Sequence, residues 1–202
     1  MTGDTNTIRH LQQENIRMRS DNNSLKDYVA RLQKALRALT TLQHNLDNIR
    51  PDTNVFQLIH NILKSALDAV DSEDGSLMLL DEESGELVFV EVLGAAREKL
   101  LNYRLPPRTG VAGWAVTNKQ PRMVDDARSE QAFSPAVDQI TGMQTTSLLV
   151  VPLLDGERPL GVIEIINTRS GRPFNMSDRD IMLLVAKLAA MAITRAEAVQ
   201  AS

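Results

Sequence analysis

The residues able to do chemistry are few and widely spaced. Glu164 stands inside the run Val162-Ile163-Glu164-Ile165-Ile166, a charge within an apolar strand. Strand alternation puts it on the face of Val162 and Ile166, turned either to a pocket or to solvent. Phe89 and Glu91 fall two apart in a second apolar run, 87–93 (LVFVEVL). Trp114 follows a pair of glycines, Asp125 and Asp126 follow a short apolar segment, and Phe133 lies in a polar stretch. Thr146 and Ser147 lead into a third apolar run. Together these residues offer apolar walls and a few directed polar groups, the requirement for a small-molecule pocket. Each also has a plain structural use: Trp114 as core, Asp125 and Asp126 as acceptors for loop amides.

Other chemistries are excluded by composition. The 202 residues contain no cysteine, which removes thiol catalysis, disulfides, Cys-ligated zinc, iron–sulfur clusters and any cofactor attached through a thioether. His10, His44 and His60 are far apart, so neither a His-rich metal site nor a Ser-His-Asp arrangement is expected. Gly110 and Gly113 form a spaced pair without the Lys-Ser/Thr ending of a phosphate loop. Aromatic residues at 3% and a net charge of -4 argue against nucleic-acid and anionic-membrane partners. No apolar run reaches the ~20 residues of a membrane helix, and the polar N-terminus is unlike a signal peptide. A cytoplasmic chain of one domain plus an appendage is expected.

The charge is uneven. Residues 1–50 carry 8 basic and 5 acidic side chains, whereas 51–202 carry 14 and 21. Two parts with different physics are implied, with a joint at Arg50-Pro51-Asp52, because a residue before proline disfavours the helical region.

The first part, 1–50, has the pattern of a coiled-coil dimerisation helix. Leu11, Met18, Leu25, Leu32, Leu39 and Leu46 recur every seven residues as d positions. The a positions read Ile8, Asn15, Asn22, Val29, Leu36 and Gln43. No proline or glycine interrupts 4–50. Paired Asn15 and Asn22 would fix register and favour a parallel homodimer. Glu14 opposite Arg19 and Asp21 opposite Lys26 on the partner chain agree with that pairing. The helix from Ile8 to Ile49 would be roughly 63 Å long at ~1.5 Å per residue. Its stripe widens at Leu36, Leu39, Leu42, Leu46 and Ile49, where it is expected to meet the next domain.

The second part, 51–202, reads as one α+β domain. A helix over 52–70 shares one apolar face (Val55, Ile59, Ile62, Leu63, Ala66, Val70) and is capped by Asp52 or Thr53. Strands at 75–80 and 87–93 flank a turn. A mixed segment follows, then a short helix begun by Thr109, a strand at 122–124, and a polar stretch with a short helix at 135–142. Strands at 148–154 and 160–167 precede a last helix capped by Ser177. Hairpins dominate, so the expected architecture is an antiparallel sheet with helices on one face, preceded by the long N-terminal helix.

The segment from Gly110 to Ala127 (GVAGWAVTNKQPRMVDDA) resembles the centre of a GAF domain. The run 147–153, a turn, 160–167, Phe174 and Asp178 resemble its C-terminal half. The resemblance covers about residues 52–198. It implies a ligand pocket on the sheet face under the irregular segments, and a non-catalytic sensor that acts on a protein partner carrying the output. An alternative is a dimerisation and interaction module with a vestigial pocket. The family's methionine sulfoxide reductases and covalent bilin carriers need cysteine, so both are excluded here; no covalent cofactor is expected, and an unidentified small ligand is. Members that bind cyclic nucleotides carry Asn-Lys, Phe and Asp-Glu. Here Asn167 precedes Thr168, and Asp178 precedes Arg179, so the Lys–Asp ion pair of that pattern has no lysine. Arg169 is a poor substitute, since it should point to the other face of its strand.

Overall fold

The computed structural model describes residues 2–47, 49–50 and 53–200. The chain divides into two compact units, Met1–Lys34 and Ala35–Ser202.

The first unit is the greater part of helix α1 (Thr2–Asp47). Along it Ile8, Leu11, Met18, Leu25, Val29 and Leu32 are all exposed, Leu25 at 63%. Asn15 and Asn22 are exposed as well. The apolar stripe therefore has no cover within its own unit.

The last turns of α1 belong to the second unit. Ala35 and Ala38 are buried there with Ile49, and Leu39 packs against the same core, while Leu36 stays exposed. The small residues, not the leucine at the next a position, face the domain. The side chain of Leu46 lies outside the described residues.

Helix α2 (Val55–Val70) buries Leu58, Ile59, Ile62, Leu63, Ala66, Leu67, Ala69 and Val70. A buried Leu or Ile contributes about 1.5–3 kcal/mol, so this face anchors the helix. Its N-cap is Asn54, whose Oδ1 accepts from the Gln57 amide at 3.1 Å, rather than Asp52 or Thr53. Thr53 instead accepts from the Arg50 amide. Strands β1 (Asp74–Leu80) and β2 (Leu87–Leu93) form the first hairpin. The mixed segment holds a single-turn helix α3 (Arg97–Leu100) and a two-residue strand β3 (Arg104–Leu105), neither visible in the sequence pattern. Helix α4 (Gly110–Asn118), strand β4 (Arg122–Val124) and helix α5 (Ala136–Thr141) follow. Strands β5 (Leu148–Asp155) and β6 (Arg158–Ile166) form the second hairpin, and α6 (Met176–Gln200) ends the domain. The α6 cap is Asn175, whose Oδ1 accepts from the Ser177 and Asp178 amides, so Ser177 is inside the first turn rather than capping it.

The six strands form one antiparallel sheet in the order β3-β2-β1-β6-β5-β4. Side-chain alternation splits its residues between two cores. Leu77, Leu149, Val151, Ile163 and Ile165 face α2 and α6. Met78, Phe89, Val92, Leu148, Val150 and Val162 face α4 and the irregular segments. The long helices thus cover one face and short helices and loops the other.

Candidate ligand-binding site

Alternation breaks in β2, and again in β6 at Leu160. Leu77 pairs with Glu91 and Met78 with Phe89, so Val90 is an extra residue, a β-bulge. Phe89 and Val92 face the loop-covered side, while Val90 and Leu93 pack on the α2 side. Glu91 shares the face of its partner Leu77. It is buried at 7% exposure, ion-paired with Arg97, and 3.7 Å from His60 Nδ1 of α2. Arg97 also donates to the Val92 carbonyl. Glu91 therefore leaves the face it shares with Phe89 in the sequence pattern.

On the loop-covered side a cavity of about 40 Å³ opens between the sheet and α4, α5 and the segment before α5. Met78, Phe89, Leu148 and Ile166 line its floor, with Val111, Ala112 and Phe133 above them. Its polar lining comes from Ser134, Asp138, Thr145 and Glu164. A void of about 20 Å³ adjoins it, sharing Phe89, Val137, Glu164 and Ile166 and adding Asp74, Ser76 and Val92. Among the described residues no Lys, Arg or His lines either space.

Glu164 sits in the middle strand of this floor, flanked in register by Ser76 of β1 and Val150 of β5. Burial pushes its carboxyl up to about 7, and the charge of Asp138 adds to the rise. The residue keeps partial exposure and lines both spaces. Among the described residues none donates a hydrogen bond to it. Ser76, at 3% exposure, lies on the same sheet face, and its hydroxyl also has no partner.

Asp138 belongs to α5, in the cover. Its Oδ1 accepts from the Thr145 hydroxyl at 2.6 Å and its Oδ2 from the Thr145 amide at 2.9 Å. These bonds tie α5 to the start of β5. Lys99 Nζ donates to the Thr141 carbonyl at 2.9 Å, tying the end of α5 to α3. The α4 side is held by close backbone approach: a Cβ on Gly113 would meet the Arg108 carbonyl carbon at 2.5 Å, so only glycine fits. Thr109 occupies the N-cap position of α4 with extended geometry but makes no side-chain cap bond.

The remaining expected site residues build this surround instead of lining the cavity. Trp114 is partly buried under the Arg122 guanidinium, 4.8 Å from its ring centroid. Arg122 also forms a two-pronged pair with Glu130. The Ala132 amide, then Arg122, hold the Glu130 carboxyl below its usual range against a partial burial cost. Asp125 is exposed, and Asp126 is an exposed turn residue accepting from the Arg128 amide. Thr146 and the Ser147 amide bond to Asn167 Oδ1. Of nine expected residues, the structure brings Phe89, Phe133 and Glu164 together in the cavity; Glu91, Trp114, Asp125, Asp126, Thr146 and Ser147 lie outside its lining. Asp138, Thr145, Ser134 and Ser76 were not singled out by sequence. The one signal for Asp138 was an acid in a segment expected to cover a pocket.

The positions of the cyclic-nucleotide pattern have structural duties. Asn167, with positive φ, stitches 144–147 to the end of β6. Phe174 is buried in the α2–α6 core. Asp178 is buried and pairs with Arg172 at 2.6 Å, so an arginine six residues earlier supplies the cation that neither Thr168 nor Arg169 does. Arg169 pairs with Asp71 and Glu73.

The order of strands, with long helices on one face of the sheet and short elements over a cavity on the other, defines the α+β class of this domain. The GAF domain model matches residues 55–193, and the chain belongs to the GAF domain family. Such domains are typically small-molecule-sensing regulatory domains. The chain is similar to the GAF domain of a phosphoenolpyruvate-protein phosphotransferase from Coxiella burnetii, with TM-score 0.70 and 20% identity, covering 84% of this chain and 98% of that one. It is also similar to a free methionine-R-sulfoxide reductase from Neisseria meningitidis solved with its substrate, with TM-score 0.66 and 19% identity, covering 81% and 90%. At these identities the likeness is one of fold. A stretch of 88 residues, 44% of the chain, is 30% identical to the Mus musculus cone cGMP-specific 3',5'-cyclic phosphodiesterase subunit alpha' and spans 10% of that protein's length. Among the described residues no helix is long and apolar enough to cross a membrane, and no group of three His, Asp or Glu residues could hold a metal ion.

Proposed function

We propose that this chain is a regulatory, non-catalytic GAF protein that holds a small molecule in the cavity over Glu164, dimerises in parallel through α1, and passes the state of the cavity to a protein partner. The observation that carries the reading is the site itself: an apolar-walled cavity with an unpartnered carboxylate at its floor, covered by short elements fastened by few bonds. A second supports the dimer: α1 carries an uncovered stripe with Asn15 and Asn22 in it, and the same helix contributes Ala35 and Ala38 to the domain core. Helices paired in this way can carry small rotations between sites.

A catalytic role like that of the sulfoxide reductase lacks the thiol, since the chain has no cysteine. Cyclic-nucleotide binding, suggested by the phosphodiesterase relative, is disfavoured twice. Asn167, Phe174 and Asp178 are committed elsewhere, and a space of 40 Å³ is far below the ~300 Å³ of an ordinary ligand pocket.

Native mass spectrometry of the gently purified protein, with a thermal-shift screen that includes nucleotides, tests the sensor. A retained small molecule, or a rise of several degrees with one chemical class, is expected. Absence of both would favour the interaction module with a vestigial pocket. Sedimentation at micromolar concentration tests the dimer: Leu25→Pro with Leu32→Pro should convert dimer to monomer, and a monomeric wild type would sink the coiled coil.

A further inference from the structure

The cavity has a chemical bias that the family assignment does not contain. Its ionisable lining consists of Glu164 from β6, Asp138 from α5 and, in the adjoining void, Asp74 from β1. The other elements packed against Glu164 bring no charge: β5 presents Val150 and Leu148, β2 presents Phe89 and Val92, and α4 presents Val111 and Ala112. Asp138 is partly satisfied by Thr145 and Asp74 by the Ala95 amide. Glu164 is not satisfied by any described residue. Neither is the hydroxyl of Ser76, buried beside it in register. Buried polar groups are normally paired, so the orphaned Ser76 hydroxyl, beside a part-exposed Glu164 carboxyl that has no donor among the described residues, calls for something that donates hydrogen bonds to both.

We propose that the cavity takes a small organic cation, whose ammonium or amidinium nitrogen sits between Glu164 and Asp138 and donates also to the Ser76 hydroxyl, with its apolar remainder against Met78, Phe89 and Leu148. This rests on the reading of the domain as a sensor and narrows its ligand. A metal ion is the weaker fit, since the carboxylates do not converge into a ligating group. An anion would face carboxylates with no basic side chain to offset them. Size limits the ligand too. At about 10–15 Å³ per water position, the larger space holds roughly three and the smaller one or two, room for about four or five heavy atoms.

The test uses the full chain and three probes of similar size at constant ionic strength: n-propylamine (protonated at pH 8), propan-1-ol and propionate. Saturation-transfer NMR titrations report binding. Propylammonium should bind at pH 8, and the other two at least tenfold more weakly. Glu164→Gln, which keeps shape and removes charge, should weaken propylammonium about tenfold or more, and Asp138→Asn by a smaller factor. Lowering the pH from 8 to 6 protonates Glu164 and should weaken it by about tenfold in the wild type and little in Glu164→Gln. Equal binding of the alcohol, preference for propionate, or indifference of propylammonium to Glu164→Gln each overturns the cation proposal while leaving a sensor of another ligand class. No binding of propylammonium overturns it as well. Failure of the sensor reading itself is seen separately, as the absence of any retained or stabilising molecule in the mass and thermal-shift measurements.

Discussion

Two glutamates stand inside apolar strands of the same sheet, and the protein treats them oppositely. Glu91, on the α2 face, is more deeply buried yet is met by Arg97, with His60 at 3.7 Å. Glu164, on the loop-covered face, has a neighbouring carboxylate and no cation. A charge buried with a partner is a structural element, whereas one buried without a partner costs stability and is driven toward its neutral form. The contrast follows the covers. Long helices with Ile62, Leu63, Val185 and Ala189 fully buried hold one face, and short helices with a few hydrogen bonds hold the other.

The sharpest way to break the contrast is to strip Glu91 of its partner. Arg97→Met should lower the unfolding free energy by about 2 kcal/mol in urea titrations. That is below the 3–5 kcal/mol for a fully buried pair, because Arg97 is nearly half exposed. Adding Glu91→Leu to Arg97→Met should restore most of the loss, since an apolar pair of similar size suits that face. No loss in the single variant would place Glu91 among ordinary surface charges.

The opposite change at Glu164 should have the opposite sign. Between about pH 4.5 and 7 the folded chain holds a proton that the unfolded chain has released. Stability therefore falls as pH rises through that window and levels off above it. Glu164→Gln removes the penalty and should make the protein more stable at pH 8 by about 1–2 kcal/mol, less than the full linkage because the residue is partly exposed, with little change at pH 4.5. Chemical denaturation across this range measures both the offset and the slope. A variant that keeps the wild-type slope would assign the slope to another group.

How far these two glutamates could be told apart in advance shows what sequence carries. The apolar face of α2, the two hairpins and the place of Glu164 beside Val162 follow from period alone, because each such residue buries its side chain on a continuous face. The bulge at Val90 does not: LVFVEVL is an apolar run with a single charge, and nothing in it marks the extra residue that parts Glu91 from Phe89. The caps were legible only to within two residues. Asn54 and Asn175 cap their helices where neighbouring Thr53 and Ser177 are also good acceptors, so residue type alone does not pick the position. Strand β3 has two residues, too few for any period. Asp138 is bound by Thr145, seven residues on, through a contact that only the packed cover creates.

The smallest expected effect sharpens the contrast most. Among the described residues two buried hydroxyls have no partner, Ser76 beside Glu164 and Thr194 on α6. Removing an unpaired hydroxyl loses no hydrogen bond and relieves a desolvation cost, so Ser76→Ala and Thr194→Val should each change stability only slightly, with a gain of about 0.5–1 kcal/mol. On stability alone the two are alike. They differ in what they face: Ser76 lines the void with Glu164, and Thr194 lines neither space. If the loop-covered face is kept unsatisfied for a ligand, Ser76→Ala should weaken propylammonium binding several-fold while Thr194→Val leaves it unchanged. Equal behaviour of both variants in that titration would mean that the Ser76 hydroxyl is unpaired for the same reason as Thr194, by packing and not by function.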